Sequence, residues 1–450
     1  MTKQILLNAF NMNTAGHQSS GLWRHPRDRS REYTSIEHWQ DLARTLERGL
    51  FDGVFLADVN GLYDVYGDSP DAALRNAVQV PANDPFSIVP VMAAATEHLC
   101  FGVTGSIPYE PPAAFARRMS TLDHLTKGRV GWNIVTGYLD SAAKAVGKQR
   151  QDNHDTRYEI AAEYVEVVYR LWEESWDDDA VVFDRDAGVF TDPSRVHRIR
   201  HDGVHFQLDA VHLCEPSPQR TPVLFQAGSS RAGQTFAARH AECVFIGSAG
   251  GEKAANLVAS LRDQAEAAGR KRNDLKIFGM LCVVAAATDE EAEAKYADYI
   301  SYALPEGSLA LMAGFSGIDL SVYGLDDTAQ SGSSQAIQSL MSSLGMHSMR
   351  EWGERMAVGG AADVVIGSAT TVADELQRRM NETDLDGFNL AYSVLPECFE
   401  DFVDLVVPEL QQRGVYKTEY SAGTMRHKLF GQGDRTPSTH PSSRFRRPST

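Results

Sequence analysis

Eight short apolar runs, each closed by a polar or glycine-bearing end, constrain the fold of this chain more than any other feature. They are ILLNAF (5–10), VFLAD (54–58), LCFGVTGSI (99–107), GWNIVT (131–136), PVLFQAG (222–228), CVFIGS (243–248), KIFGMLCVVAAA (276–287) and GFNLAY (387–392). Runs of this length, rich in β-branched and aromatic residues, read as buried strands. Stretches of helical period lie between them. Residues 35–52 place Trp39, Leu42, Ala43 and Leu46 on one face behind Ser35 as N-cap. Helices are also expected over 84–98, 111–128, 157–171, 231–240, 252–268 and 399–412.

Eight β-then-α units match an α/β TIM (β/α)8 barrel with insertions better than a doubly wound sheet, which has fewer strands and a Gly-rich first turn. Neither GxGxxG nor a Walker loop follows the first strand. The expected barrel domain spans 1–422. An acidic insertion fills about 172–219, with a hairpin near HFQLDAVHL (205–213), and a second, rich in Gly, Ser and Met, fills about 290–365 as a lid over the site. Residues 423–450 form a basic tail of Ser, Pro and Arg, expected to be disordered or laid across a neighbouring subunit.

In such a barrel the ligand sits at the carboxyl ends of the strands, so polar residues there are the functional candidates. GRVGWNIVTGY (128–138) ends in Asn133, Thr136 and Gly137; other runs end in Asp58, in Thr104 and Ser106, in Ser229 and Ser230, and in Ser248. The composition narrows the partner. A formal charge of −17 opposes nucleic acid and anionic membrane, and no apolar run approaches the roughly 18 residues of a spanning helix. Five scattered cysteines with no CxxC pair fit reduced thiols, and a cytoplasmic protein is expected.

His154 and Tyr158, four apart at a helix start, would suit an anion; the alternative is a capped surface helix with a half-buried tyrosine. GSSRAG (228–233) offers backbone N–H and hydroxyl donors for a phosphate. His17 and His25 lie in the loop after the first strand. With no HExxH and no Cys/His cluster beside them, no metal site is expected. Tyr63, just after the second strand, either walls a pocket or packs. No GxSxG elbow occurs. From the residues alone, a barrel with a phosphate-bearing small ligand at its mouth is as far as the chemistry goes.

The same segments resemble the bacterial-luciferase-like flavin monooxygenases, in the branch of nitrilotriacetate, dibenzothiophene-sulfone, dimethyl-sulfide and long-chain alkane monooxygenases. NAFNMN, GLWRHP, ERGLFDGVFLAD, YDVYG, PANDP, STLDHLTKGRVGWNIVT, HDTRY, AAEYVEVVYRLWE, LCEPSPQRTPVLFQAG, HAECVF, DGFNL and VVPELQQRG carry the likeness over nearly the whole chain. The resemblance implies reduced FMN (FMNH2) made by a separate NADH:FMN reductase, with O2 and a small molecule as substrates and a homodimer or homotetramer as the assembly. It places Asp58, Thr104, Asn133 and Thr136 along the flavin, and His154, Tyr158, Ser229 and Ser230 at its phosphate. His17, Tyr63 and Tyr138 form the candidate catalytic set. Alkane enzymes of the branch tend to carry Cys, His and His where this chain has Thr14, Tyr138 and Leu311, whereas SIPYEPP, LPEGSLAL and GQGDRTPSTHP are similar to the dimethyl-sulfide type. The expected reaction is oxidation of dimethyl sulfide to methanethiol and formaldehyde. The alternatives are alkane hydroxylation and oxidative cleavage of a sulfone or aminopolycarboxylate. Outside that reaction class stand a flavin-binding protein without turnover and a barrel hydrolase using His17 or His25 as base.

Overall fold

The structure is a computed structural model that describes residues 3–228, 230–327 and 348–447. Eight parallel strands, Leu6–Met12, Gly53–Ala57, Cys100–Ser106, Val130–Val135, Val223–Ala227, Cys243–Ile246, Lys276–Ala285 and Gly387–Ala391, pair in chain order and close on themselves as a TIM barrel. All eight fall on the eight apolar runs. Parallel strands in a barrel are covered on both faces, so they read as nearly continuous apolar sequence.

Alternate residues face the lumen. Phe10, Phe55, Phe225 and Phe245 fill it, with ring centroids 5.0 Å apart for Phe10–Phe245 and 5.6 Å for Phe55–Phe225. Glycines make room for these rings: a Cβ on Gly131 would lie 2.8 Å from Phe225 Cε2, and one on Gly102 would lie 3.3 Å from Phe55 Cδ2. The other strand face meets the helices. Helix Ile36–Arg48 buries Trp39, Leu42, Ala43 and Leu46, and the Ser35 hydroxyl caps it by accepting the His38 N–H at 3.2 Å.

Some local expectations change. The segment 84–98 is not one helix. Asp84 caps a 3-10 turn, Pro85–Ser87, which runs into the short helix Val89–Ala93 carrying Pro90 in its first turn. The helix expected over 399–412 contains a π turn at Phe402–Val406, because Pro408 has no N–H for the Asp404 carbonyl and its ring crowds that carbonyl. The first insertion holds two hairpins. Val181–Asp184 pairs with Val189–Thr191, and Gln207–Ala210, inside the expected hairpin segment, pairs with Ile199–Asp202 ahead of it. The second insertion contains helices Asp289–Ser301, Pro305–Ser316 and Met349–Arg355 and the strand Asp363–Gly367, which adds to the end of the seventh barrel strand; its residues 328–347 lie outside the described residues.

The described part of the tail is ordered. Residues 423–447 pack on their own barrel because their basic side chains meet its acids. Arg426, 1% exposed, pairs with Glu242, and Arg435 and Arg446 both reach Glu173. Among the described residues no helix is long and apolar enough to cross a membrane.

Candidate active site at the barrel mouth

The carboxyl ends of the second to fifth strands enclose a cavity of about 320 Å³, walled by Asp58, Ser106, Thr136, Tyr138, Tyr158 and Gln226 among others. A more polar cavity of about 370 Å³ adjoins it, walled by Asp84, Thr104, Glu110 and Arg118, and the two share Asp58, Asn60, Ser106 and Tyr109. Asp58 therefore stands on the common wall. Burial pushes its carboxyl up to about 7, the nearby Asp84 charge adds to the rise, and the Val59 N–H and the Asn60 side chain oppose it.

Thr104, on the wall of the second cavity, and Asn133 occupy paired positions of the third and fourth strands. The Asn133 Nδ2 donates to Thr104 Oγ1 at 2.8 Å, while its Oδ1 is buried with no donor among the described residues. Gln226 of the fifth strand repeats the pattern: Nε2 donates to the Tyr158 hydroxyl at 3.4 Å, and Oε1 is buried without a partner. Two buried acceptors without donors at one mouth are sites where a ligand N–H or O–H would bind.

The fourth strand leads into Thr136 and Gly137. Gly137 has φ +74°, and a Cβ there would meet the Tyr109 hydroxyl at 2.8 Å, so the turn requires glycine. Its carbonyl accepts from Arg157 Nη1. Helix His154–Glu173 starts earlier than the expected Arg157, bringing His154, Arg157 and Tyr158 to one end of the cavity. The His154 Nδ1 lies 2.9 Å from Asp155 Oδ1, and its ring is 5.2 Å from that of Tyr158. Burial raises the Tyr158 phenol, and a hydrogen bond with Ser230 opposes this. Ser230 also caps helix Arg231–His240 by accepting the Gly233 N–H at 3.1 Å. Ser229 lies outside the described residues.

Tyr138 lines the main cavity, with Tyr63 behind it. The Gln79 Nε2 donates to the His17 carbonyl at 3.2 Å, so Oε1 must accept from the Tyr63 hydroxyl at 3.0 Å; the contact between the Tyr63 and Tyr138 hydroxyls, at 2.5 Å, is then donated by Tyr138. Each phenol proton is engaged, and Tyr138 turns an apolar ring to the cavity. Helix Pro305–Ser316 covers Tyr63 and flanks Tyr138, which stays 44% exposed: Phe315 lies 5.8 Å from Tyr63 and 5.9 Å from Tyr138. Leu311 does not reach the cavity and instead backs Tyr63, 2% exposed, in a cluster with Leu139 and Ala142.

His17 stands on neither cavity wall. It is buried edge-on against Phe10 at 4.5 Å, and burial lowers its pKa to about 3, opposed by the Phe10 carbonyl, so it stays neutral in the protein. His25 is farther off, paired with Asp298 at 3.0 Å and packed against Tyr299 and Tyr302. Neither ring lines the two cavities, and the His17 Nδ1 is buried with no hydrogen-bond partner among the described residues. Sequence reasoning passed over Gln226, Arg157, Tyr109 and Gln151. A lone amide inside the apolar strand PVLFQAG was a usable signal for the first; the Gln151 Nε2, which donates to the Tyr109 hydroxyl at 2.7 Å, joins two irregular loops with no period to mark them.

A closed barrel with a polar cleft at the carboxyl ends of its strands is an architecture that serves many enzyme classes, and likeness to known proteins decides which one this is. The chain belongs to the luciferase-like monooxygenases, whose family pattern matches residues 13–386, and it is therefore an oxidoreductase enzyme. It is 50% identical over 453 residues to the dimethyl-sulfide monooxygenase of Hyphomicrobium sulfonivorans, covering 99% of this chain and 94% of the relative. The crystal structure of a long-chain alkane monooxygenase superposes with a TM-score of 0.92 at 47% identity, covering 99% of this chain and 100% of that one. A riboflavin lyase solved with modified FMN and riboflavin gives 0.90 at 35% identity, covering 99% and 100%.

Proposed function

We propose that the protein is an FMNH2-dependent monooxygenase that converts dimethyl sulfide to methanethiol and formaldehyde, using reduced flavin delivered by a separate NADH-dependent reductase. The observation that carries the reading is the wall of Tyr138, backed by Tyr63 and Phe315, in a chain half identical to a dimethyl-sulfide monooxygenase. The wall is aromatic, its hydroxyls are tied up, and it bounds a cavity of about 320 Å³. A short thioether fits against it. A long alkyl chain gains about 0.8 kcal/mol per buried CH2 only where there is room for it.

The residues present fit a flavin mononucleotide. The buried acceptors Asn133 Oδ1 and Gln226 Oε1 lack donors, which a flavin ring and ribityl chain carry. His154, Arg157, Tyr158 and Ser230 gather donors at one end, suited to a phosphate. Asp58, Thr104, Asn133 and Thr136 would hold the ring, and Tyr158, Ser230, Ser229 and His154 the phosphate. Reduced flavin, when bound, supplies the two electrons with which O2 is split between the product and water. The net change balances: dimethyl sulfide, O2 and the two hydrogens of FMNH2 give methanethiol, formaldehyde, water and FMN. The protein's part is to orient the thioether against Tyr138, to exclude water beneath helix Pro305–Ser316, and to hold a proton on Asp58 near neutral pH.

Two measurements test this. Anaerobic titration should give tighter binding of reduced than of oxidised FMN; equal affinities, or a tightly co-purifying yellow cofactor, would count against a reductase-fed enzyme. With a generic FMN reductase, dimethyl sulfide should yield methanethiol and formaldehyde while hexadecane is left nearly untouched. Efficient hexadecane hydroxylation without thiol would replace the organosulfur reading by the alkane one.

A further inference from the structure

Beside the flavin cavity, on the outer face of the barrel, a groove of about 490 Å³ runs between helix His154–Glu173 and helix Arg231–His240. Tyr158 belongs to both, so the groove begins where the proposed phosphate end of the cavity stops. Its walls differ from those of the cavity. On one helix Arg231, Thr235 and Arg239 are exposed at four-residue spacing, which places them in a single stripe along the groove. Neither arginine has an ion-pair or hydrogen-bond partner among the described residues. On the facing helix Asp155 and Glu159, also four apart, are exposed to the groove; Asp155 contacts His154 through one oxygen only. Phe236 lies on the floor, its ring centroid 5.7 Å from that of Tyr158.

Together these are the groups that an adenylate needs. Unpaired arginines take phosphate oxygens, carboxylates accept from the two hydroxyls of a ribose, and an aromatic floor takes a base. We infer that this groove is a subsite for the adenosine phosphate half of a dinucleotide flavin, so that the protein accepts FADH2 as well as FMNH2. The inference rests on the flavin reading of the adjoining cavity. Phosphate is common to both flavins and falls at Tyr158; only the second phosphate and the adenosine extend over Thr235 to Arg239.

Anaerobic titration of the full chain with FMNH2 and with FADH2 separates the two readings. Wild-type protein should bind the two within about tenfold of each other. Arg239→Glu, an exposed change far from the cavity, should weaken FADH2 by about tenfold or more and leave FMNH2 within about twofold. Thermal unfolding of the variant, expected to match wild type, checks that it folds. The inference is overturned if wild type binds FADH2 more than about tenfold more weakly than FMNH2, or if Arg239→Glu shifts both flavins alike or neither. Failure to bind FMNH2 at all would instead remove the flavin cavity, and this subsite with it.

Discussion

Tyr158 and Ser230 stand at the same end of the cavity but differ in what else they do. Among the described residues the Tyr158 hydroxyl meets Gln226 and Ser230, whereas the Ser230 hydroxyl also caps a helix. Tyr158→Phe is therefore expected to cost one bond to a charged phosphate, about 1.5–3 kcal/mol, or roughly ten- to hundredfold in FMNH2 affinity, with a small fall in melting temperature because the buried Gln226 Nε2 loses its long 3.4 Å acceptor. Ser230→Ala should lose affinity and also about 1 kcal/mol of stability through the missing cap. Normal FMNH2 binding by both variants would move the phosphate elsewhere. Asp58 gives a pH signature. Its carboxyl rises from the ordinary 3.8 to about 7 in the fold, chiefly by burial. The folded state thus binds the proton more tightly than the unfolded chain does; the stability this contributes is complete below the unfolded value and is lost as pH climbs through the folded one. Asp58→Asn, which never ionises, should melt with a constant offset from wild type below pH 4, gain on it between pH 4 and 7, and hold that gain above pH 8. A flat difference across the range would refute the shift.

Helix Pro305–Ser316 gives the second insertion its functional weight, since it lays Leu311, Gly314 and Phe315 against Tyr63. A Cβ on Gly314 would sit 2.0 Å from Tyr63 Cδ1, and the ring, 1% exposed and tied to Gln79 and Tyr138, has nowhere to move. Gly314→Ala should cost about 1–3 kcal/mol by overpacking and disturb the Tyr63–Tyr138 pair, seen as a lower melting temperature together with a raised KM for the thioether. Unchanged values for both would mean that the helix yields freely and does not hold that wall. How far such elements were readable in advance follows from their burial. The eight barrel strands stood out because both of their faces are covered. Strand Asp363–Gly367 is as apolar as several of them, yet among the described residues it pairs only with the end of the seventh strand and was hidden in a stretch without clear period. The site divides in the same way: Asp58, Thr104, Thr136, His154 and Tyr158 were visible because strand ends and a helix start are positions that sequence marks, whereas Gln151 and Tyr109 reach the cavity region from loops whose paths depend on tertiary contacts.

The mouth of the barrel is open and polar, and the tail is anchored at the opposite end. Glu242 opens the sixth strand there, and Arg426 of the tail grips it through two hydrogen bonds of 2.7 Å, with further bonds from the same guanidinium to the carbonyls of Thr221 at 3.0 Å and Asp434 at 2.6 Å. Both side chains are 2% exposed. Removing one partner of such a pair leaves a buried charge without compensation, so Arg426→Ala should cost about 3–5 kcal/mol. Replacing both partners by apolar groups of similar volume should recover only part of that loss, because Glu242 also accepts the Leu224 N–H at 3.3 Å, a donor that would then be left unpaired. Flavin binding discriminates this from a role at the site: at temperatures where the Arg426→Ala protein is still folded, FMNH2 affinity should equal that of wild type, since the tail touches the amino ends of the fifth and sixth strands and the proposed flavin site lies at the carboxyl ends. A variant that keeps its melting temperature but loses flavin would show that the tail shapes the mouth and not the base of the barrel.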